Sequence, residues 1–352
     1  MGDTVTREQS GTACTDAERR AALALAAELR AAGREVRVQT IWVHTAWWAP
    51  PALGAVLGIA ASVICVGTPV TGLVVSVAAL AITLADLPPA APMRRLTPAR
   101  ATQNVVSAPA EVADGAVTLI ITAALDRARR GLALRLPGGV LRWTIAALIL
   151  VAACCVARTA GVDGDWIGVV QLPPTLVLLI SLVALLDAAV ADPVAGDRAA
   201  VDAAMDLVAA LDAAPPRHLA VALVLAGAGG GQSAGLRSWL RARRRRGLDP
   251  RDIALLHLEP TPGDAPSWWR RDGDVTASAL HPQLVRAARA AAEAEPSLRA
   301  RDRSRPRGTA GGRARAAGWP ALSVGVGEGA DGVAFTLAIV AALDAELAAL
   351  AR

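Results

Sequence analysis

The segment Gly229-Gly230-Gly231-Gln232-Ser233-Ala234 falls between an apolar stretch, 219–226, and an amphipathic one, 233–246. It fits G-x-G-x-x-A, a turn whose glycines let backbone N–H groups approach a pyrophosphate at a helix N-terminus. Strand before and helix after are the right local context. The turn does not follow the first strand of the soluble region, however, and no second strand–helix–strand half comes after it. Nucleotide binding therefore ranks last among three functional readings. A phosphate-binding P-loop is excluded, because the chain contains no Lys. Glu259 closes the apolar run IALLHL, where a carboxylate is either a functional group or a solvated strand end. His257 lies inside that run and reads as a satisfied core histidine, while His44 and His218 sit near element boundaries without a partner motif. Cys154 and Cys155 are adjacent in an apolar run and read as small packing residues.

The elements that must position these residues divide into two kinds. Residues 47–66, 69–87, 140–157 and 166–190 form four runs with few or no charges. Each approaches the roughly 20 residues that a helix needs to cross a bilayer core. Trp47, Trp48, Trp143 and Trp166 lie at run starts, where an interfacial aromatic belt would place them. These runs account for a composition that is 54% hydrophobic but only 3% aromatic, far too apolar for a disordered chain. Four Cys, two of them adjacent, are too few for a disulfide-stapled secreted domain. The runs pair as hairpins, so the N-terminus, the segment between the hairpins and the long C-terminal part are expected on one side. Arg94, Arg95, Arg100, Arg127, Arg129, Arg130 and Arg135 flank the runs on that side, against only Arg158 with Asp163 and Asp165 on the other. The positive-inside rule then predicts a multi-pass protein of the bacterial inner membrane, with the soluble part and both termini cytoplasmic. Residues 1–40 are polar and charged, so no signal peptide is expected there. The Ala/Arg-rich, Lys-free composition suggests a high-GC bacterial source.

The expected partners are the lipid bilayer and a protein or peptide that the sequence does not identify. Nucleic acid is not expected. The run from Arg241 to Arg246 ends an amphipathic helix, where cations suit the helix dipole, and no aromatic residues interleave with it for base stacking.

The remainder alternates between helix and strand patterns. Residues 16–32 read as a helix capped by Thr15 and ended by Gly33, and 35–43 as a half-buried strand. Strands are predicted at 103–107, 117–122, 219–226, 253–258 and 321–326, and helices at 197–211, 233–246, 281–294 and 333–351. Continuous apolar strands between amphipathic helices argue for a sheet covered on both faces. The Arg-, Gly-, Ser- and Pro-rich segment 299–315 reads as an exposed, mobile loop. The hairpins interrupt this alternation. The soluble domain is therefore expected as one unit in three pieces, 1–46, 88–139 and 191–352, with hairpins at 47–87 and 140–190.

This order, with QNVVS leading into a strand that ends TAALDRARRG, resembles the co-catalytic zinc aminopeptidases. The resemblance implies an α/β, aminopeptidase-like (phosphorylase/hydrolase-like) mixed sheet flanked by helices, here with four transmembrane helices inserted as two hairpins. It also implies where two zinc ions, bound by imidazoles and carboxylates, would sit beside a general-base Glu. At those positions this chain departs from the family. Ala124 stands where the family has a His ligand, and Asp126 matches the carboxylate that orients it. The bridging Asp falls on Gly196 or, with a one-residue slip, Asp197. The Glu-Glu pair falls within Gly229, Gly230 and Gly231. Glu259 matches a later Asp, and no His follows His281. Ala and Gly cannot bind zinc, so no cofactor and no catalytic residue are expected. The resemblance implies a catalytically inactive member that binds or scaffolds. The alternative is a divergent metal-dependent hydrolase holding one zinc through Asp126, Asp197 and Glu259. Each carboxylate also has a bland reading: Asp126 paired with a neighbouring Arg, Asp197 capping a helix, Glu259 simply ending a strand.

Overall fold

The computed structural model describes residues 12–87, 91–108, 117–126, 131–132, 139–162, 164–190, 198–229, 232–303, 308–327 and 329–350. In chain order the elements are α1 (Asp16–Ala31), β1 (Glu35–Val43), α2 (Ala49–Gly67), α3 (Pro69–Ala85), β2 (Arg100–Ala108), β3 (Val117–Ala124), α4 (Val140–Thr159), α5 (Asp165–Val190), α6 (Ala199–Ala213) and β4 (Leu219–Ala226). There follow α7 (Ala234–Arg245), β5 (Ile253–Pro260), β6 (Ser267–Trp269), β7 (Arg271–Asp272), β8 (Ser278–Ala279), α8 (Pro282–Ala294), β9 (Arg301–Arg303), α9 (Ala310–Ala316), β10 (Ala321–Val326) and α10 (Asp331–Leu350). They divide into two compact units. One comprises Met1–Val43, Arg100–Ala128 and Pro193–Arg352; the other comprises His44–Ala99 and Arg129–Asp192.

The first unit is built on an eight-stranded sheet of order β1-β2-β4-β3-β5-β10-β6-β9. The inner strands β4, β3, β5 and β10 are parallel, whereas β1 and β2 are antiparallel additions on one side and β6 runs antiparallel to β10 on the other. The inner strands are continuous apolar runs because both their faces are covered. Side chains alternate between faces. Leu119, Ile121, Leu223, Leu256 and Val324 face Leu25, Leu207, Ala288 and Phe335, while Ile120, Val224 and Leu255 face Leu236, Trp239, Ala314 and Trp319. Edge strand β1 keeps the alternation expected of it, with Val36 and Val38 packed on the core and Glu35 and Arg37 exposed. Helix α1 is capped as expected: the Thr15 hydroxyl accepts from Glu18 N, and Gly33 follows the helix with a φ of +84°.

One expectation fails. The segment 299–315 is not an exposed loop, since it supplies β9 and then α9, whose Ala310, Gly311, Gly312, Arg313 and Ala314 are buried. Thr309 caps α9 by accepting from Gly312 N. The Arg313 guanidinium finds Asp274, 2.6 Å away. Gly311 and Gly312 lie so close to Ser323 and Asp272 that neither has room for a Cβ. Arg and Gly read locally as loop, and only partners distant in sequence make them core.

In the second unit α2, α3, α4 and α5 occupy the four apolar runs. By length and composition α2, α4 and α5 could each cross a membrane, as could α10 of the first unit, while α3 has 17 residues. Phe335, Ile339, Val340 and Leu343 of α10 belong to the core of the sheet unit. The bundle has an inverted surface. Val63, Val70, Val74, Val169, Leu172 and Ile180 are exposed, whereas Gly54, Gly58, Ser62, Gly72, Ser76, Thr83, Thr144 and Gln171 are buried. Gln171 donates to the Ser62 carbonyl at 2.6 Å and to its hydroxyl at 2.8 Å. Helix α5 continues through Pro173 and Pro174, where the Thr175 hydroxyl donates to the Gln171 carbonyl at 2.8 Å.

Candidate functional site

Strands β3 and β4 end together, with Ala124 opposite Ala226, and β5 ends beside them, with Ala123 opposite Leu258. Three of the residues singled out in the sequence meet at this edge. A Cβ built on Gly229 would lie 2.5 Å from the Ala124 Cβ and 3.1 Å from Asp126 Oδ1. Asp126 is 5% exposed, and its Oδ1 accepts the Gly229 N–H at 2.5 Å. Glu259 closes the adjacent strand β5, where its Oε2 is 3.1 Å from His257 Nε2. His257 is thus buried and paired through one nitrogen; its Nδ1 is a buried atom without a hydrogen-bond partner. Gly196, Asp197, Gly230 and Gly231 lie outside the described residues, as do Arg127, Arg129, Arg130, Arg135 and Asp163. The helix expected from 197 begins at Ala199, after Arg198, which makes no side-chain cap.

The same edge holds a third carboxylate, one that the family motifs do not mark. Glu18, 1% exposed, accepts from the Thr102 hydroxyl at 2.6 Å, from Cys14 N at 2.6 Å and from Ala228 N at 3.2 Å. Burial pushes its carboxyl above the ordinary range, and the charge of Asp126 acts in the same direction. The Cys14 thiol is pushed up to about 12 by burial and by the charges of Glu18 and Asp126. A signal for Glu18 was present: Thr15-Asp16-Ala17-Glu18 has the spacing of a capping box, in which the Glu bonds backbone N–H groups at the helix start. Here it reaches further, to the turn after β4.

Among the described residues of that turn, the backbone donors before Gly230 are taken by the protein's own side chains. The N–H of Gly227 donates to Asn104 Oδ1, that of Ala228 to Glu18 and that of Gly229 to Asp126. Ser233, Ala234 and Gly235 donate to the carbonyls of Gly229, Ala228 and Gly227. Dinucleotide turns leave such N–H groups free for phosphate. Here Glu18 and Asp126 take the N–H groups of Ala228 and Gly229, so these two donors are not free for a phosphate. Ala228 and Ser233 both adopt left-handed backbone, at φ 49°, to close the turn.

On the sheet face shared by His257 and Ser323, which are register partners, a polar network underlies α9. Asp272 accepts from Gly308 N, Thr309 N and the Thr309 hydroxyl, which also bonds Ser323 Oγ. Arg313 binds Asp274 and donates to Ser233 Oγ at 3.2 Å. Burial alone would lower the Arg313 pKa, but the charges of Asp274, Glu259 and Asp272 outweigh it and raise the value.

The described residues at the edge do not by themselves fit a pair of zinc ions. Ala124 and Gly229 have no donor atom, Asp126 holds a backbone N–H, and Glu259 holds an imidazole. Among the described residues no group of three His, Cys, Asp or Glu side chains is placed to hold a metal ion.

No protein-family model matches the chain, and no curated protein matches it in sequence. Solved structures do. The aminopeptidase from Aneurinibacillus sp. strain AM-1 is 8% identical, covers 97% of this chain and 90% of its own, and has a TM-score of 0.44. The LapA aminopeptidase of Legionella pneumophila is 8% identical, covers 97% and 68%, and has a TM-score of 0.42. BSAP, a zinc aminopeptidase from Bacillus subtilis, is 8% identical over 71% of this chain, with a TM-score of 0.33, and this chain spans only 50% of its length. All three are aminopeptidases, and each is matched at low identity and low TM-score.

Proposed function

We propose that this is a membrane-embedded protein whose α/β unit is catalytically inactive and serves in binding or scaffolding. The observation that carries the reading is the contact of Asp126 with Gly229, beside Ala124. Where the resemblance calls for a metal cage, Ala124 and Gly229 have no ligating atom, and the Asp126 carboxylate fastens the turn after β4. A carboxylate used in this way is structural. Asp126→Ala should therefore lower the melting temperature, because a buried N–H left unpaired costs about 1–3 kcal/mol. It should leave peptide turnover at its wild-type background. Loss of a chelator-sensitive turnover in this variant would overturn the proposal.

The membrane part of the reading rests on the inverted bundle. Large apolar side chains outside, with Gly, Ser, Thr and Gln inside, is the pattern of helices packed in lipid, where small residues allow close approach and polar ones bond across helices. The arginines flanking the runs support an inner-membrane protein of a bacterium, with the α/β unit and both termini cytoplasmic. Retention in the membrane after alkaline carbonate extraction is expected, together with activity of a C-terminal reporter that functions only in the cytoplasm. Release into the supernatant would contradict the first point and an inactive reporter the second.

One observation favours a second reading. Asp126 and Glu259 end neighbouring parallel strands at a single edge, where a divergent hydrolase could hold one metal with help from Asp197. Glu259→Ala should then abolish both metal binding and activity, whereas an effect on neither would remove that reading.

A further inference from the structure

Three of the four cysteines, Cys65, Cys154 and Cys155, belong to the helical bundle. Cys65 and Cys155 are wholly buried and share one packed cluster with Ala61, Ala79 and Val151. Helix geometry sets them face to face. A Cβ on Gly58 of α2 would fall 2.8 Å from Leu178 Cδ1 of α5. One turn further along α2, Ser62 meets Thr175 at 2.7 Å and Gln171 at 2.8 Å, both earlier in α5. Helices α2 and α5 are therefore antiparallel. Because α5 follows α4 through a short turn and packs back along it, α4 runs parallel to α2.

Gly58 also packs directly against Leu148 of α4. In a parallel left-handed helix pair the facing positions recur about every seven residues, or two turns. Two turns beyond Gly58 and Leu148 stand Cys65 and Cys155. Ala61 and Val151, about one turn along the same seam, are wholly buried in the same cluster. Helix α3 fixes the backbone behind Cys65, since a Cβ on Gly72 would lie 2.5 Å from the Cys65 Cβ. Cys154, the next residue in sequence, is only partly buried.

We propose that Cys65 and Cys155 form a disulfide that ties the first hairpin to the second, at the end of the bundle where each hairpin turns. The inference rests on the membrane reading above, which puts that end outside the cytoplasm, in an oxidising compartment. The oxidant required is a protein disulfide of the thiol–disulfide oxidoreductase class. One cysteine thiolate attacks it and releases one of its thiolates, leaving a mixed disulfide. The second cysteine thiolate then displaces the other. The S–S bond between Cys65 and Cys155 forms as two protons leave, and the oxidant ends as a dithiol.

The test uses full-length protein from isolated membranes. Free thiols are blocked with N-ethylmaleimide under denaturing conditions, the protein is reduced, and newly exposed thiols are tagged with a maleimide–polyethylene glycol that retards each labelled chain on a gel. Two tags per chain are expected, and only after reduction. Cys65→Ala and Cys155→Ala should each lose both tags, and Cys154→Ala should keep both. Two tags persisting in Cys65→Ala, or none in the wild type even after the purified protein is treated with oxidised glutathione in detergent, would overturn the proposal. The glutathione arm needs no membrane, so its failure counts against the helix geometry alone. Release on carbonate extraction counts against the membrane reading instead.

Discussion

At the tip of β4 two carboxylates hold consecutive backbone N–H groups, Glu18 that of Ala228 and Asp126 that of Gly229. Burial holds the Glu18 carboxyl above its ordinary value of 4.5. The folded protein then binds that proton more readily than the unfolded chain does, so the ionised form costs stability above the raised value. Stability from this group should fall as pH rises from 4.5 through the folded pKa, and then level out. Glu18→Gln removes the titration while keeping an acceptor for Thr102 and Ala228. It lowers the whole curve through the lost Cys14 bond, but it should flatten the curve over that window. Melting temperature against pH reads this directly, and an unchanged slope would contradict it. Gly229→Ala tests the contact with Ala124. The new methyl would sit 2.5 Å from the Ala124 Cβ, an overpacking expected to cost about 1–3 kcal/mol in denaturant titration, partly relieved by Ala124→Gly in the same chain. Equal stability of Gly229→Ala and wild type would mean the contact is absent. These residues were partly legible in the sequence. Ala124 and Gly229 were marked by what the resemblance would put in their place and Asp126 by what it matches, but their mutual contact depends on the register of β3 with β4. Glu18 was visible as a capping-box residue, and only the fold carries it to a turn that lies 210 positions away.

The inner strands announce themselves at the scale of elements. LAVALVLA and IALLHL have no polar face to expose, and β4 runs over the residues that the pattern marks, with β5 two residues longer. The bundle helices are equally plain, because length and composition are local properties. Helix α9 was not legible, since AGGRARA is short, has no apolar stripe and carries two adjacent Gly that offset its Ala and Arg. Its place depends on Arg313 finding Asp274, 39 residues earlier, and on glycines that fit against Ser323 and Asp272. Asp274→Ala should strip the partner from a cation that is 8% exposed, and breaking such a buried pair costs about 3–5 kcal/mol. Hydrogen exchange over α9 should rise in this variant. Unchanged protection and melting temperature would show that the ion pair does not hold the helix.

At the scale of the whole molecule, the excess of apolar residues resolves into two burial regimes. The sheet unit hides its apolar residues on both faces and buries a few charged side chains, Glu18, Asp126, Asp272 and Arg313 among them, that are held by hydrogen bonds or ion pairs. The bundle hides glycine, serine and glutamine beside leucines such as Leu148 and Leu178, and also presents many valines and leucines on its outside. The sequence located the apolar runs, but it did not reveal which of their residues turn inward, because that follows from which helices touch. In the proposed reading, function would lie at this edge of the sheet, where alanine and glycine stand at positions that the resemblance would give to histidine and glutamate. The most direct measurement is the zinc content and aminopeptidase activity of the purified full-length protein, loaded with excess zinc and then desalted. Well under one equivalent of zinc per chain is predicted, with no chelator-sensitive release of amine from aminoacyl-p-nitroanilides. Stoichiometric zinc, together with turnover that a chelator abolishes and zinc restores, would contradict the account.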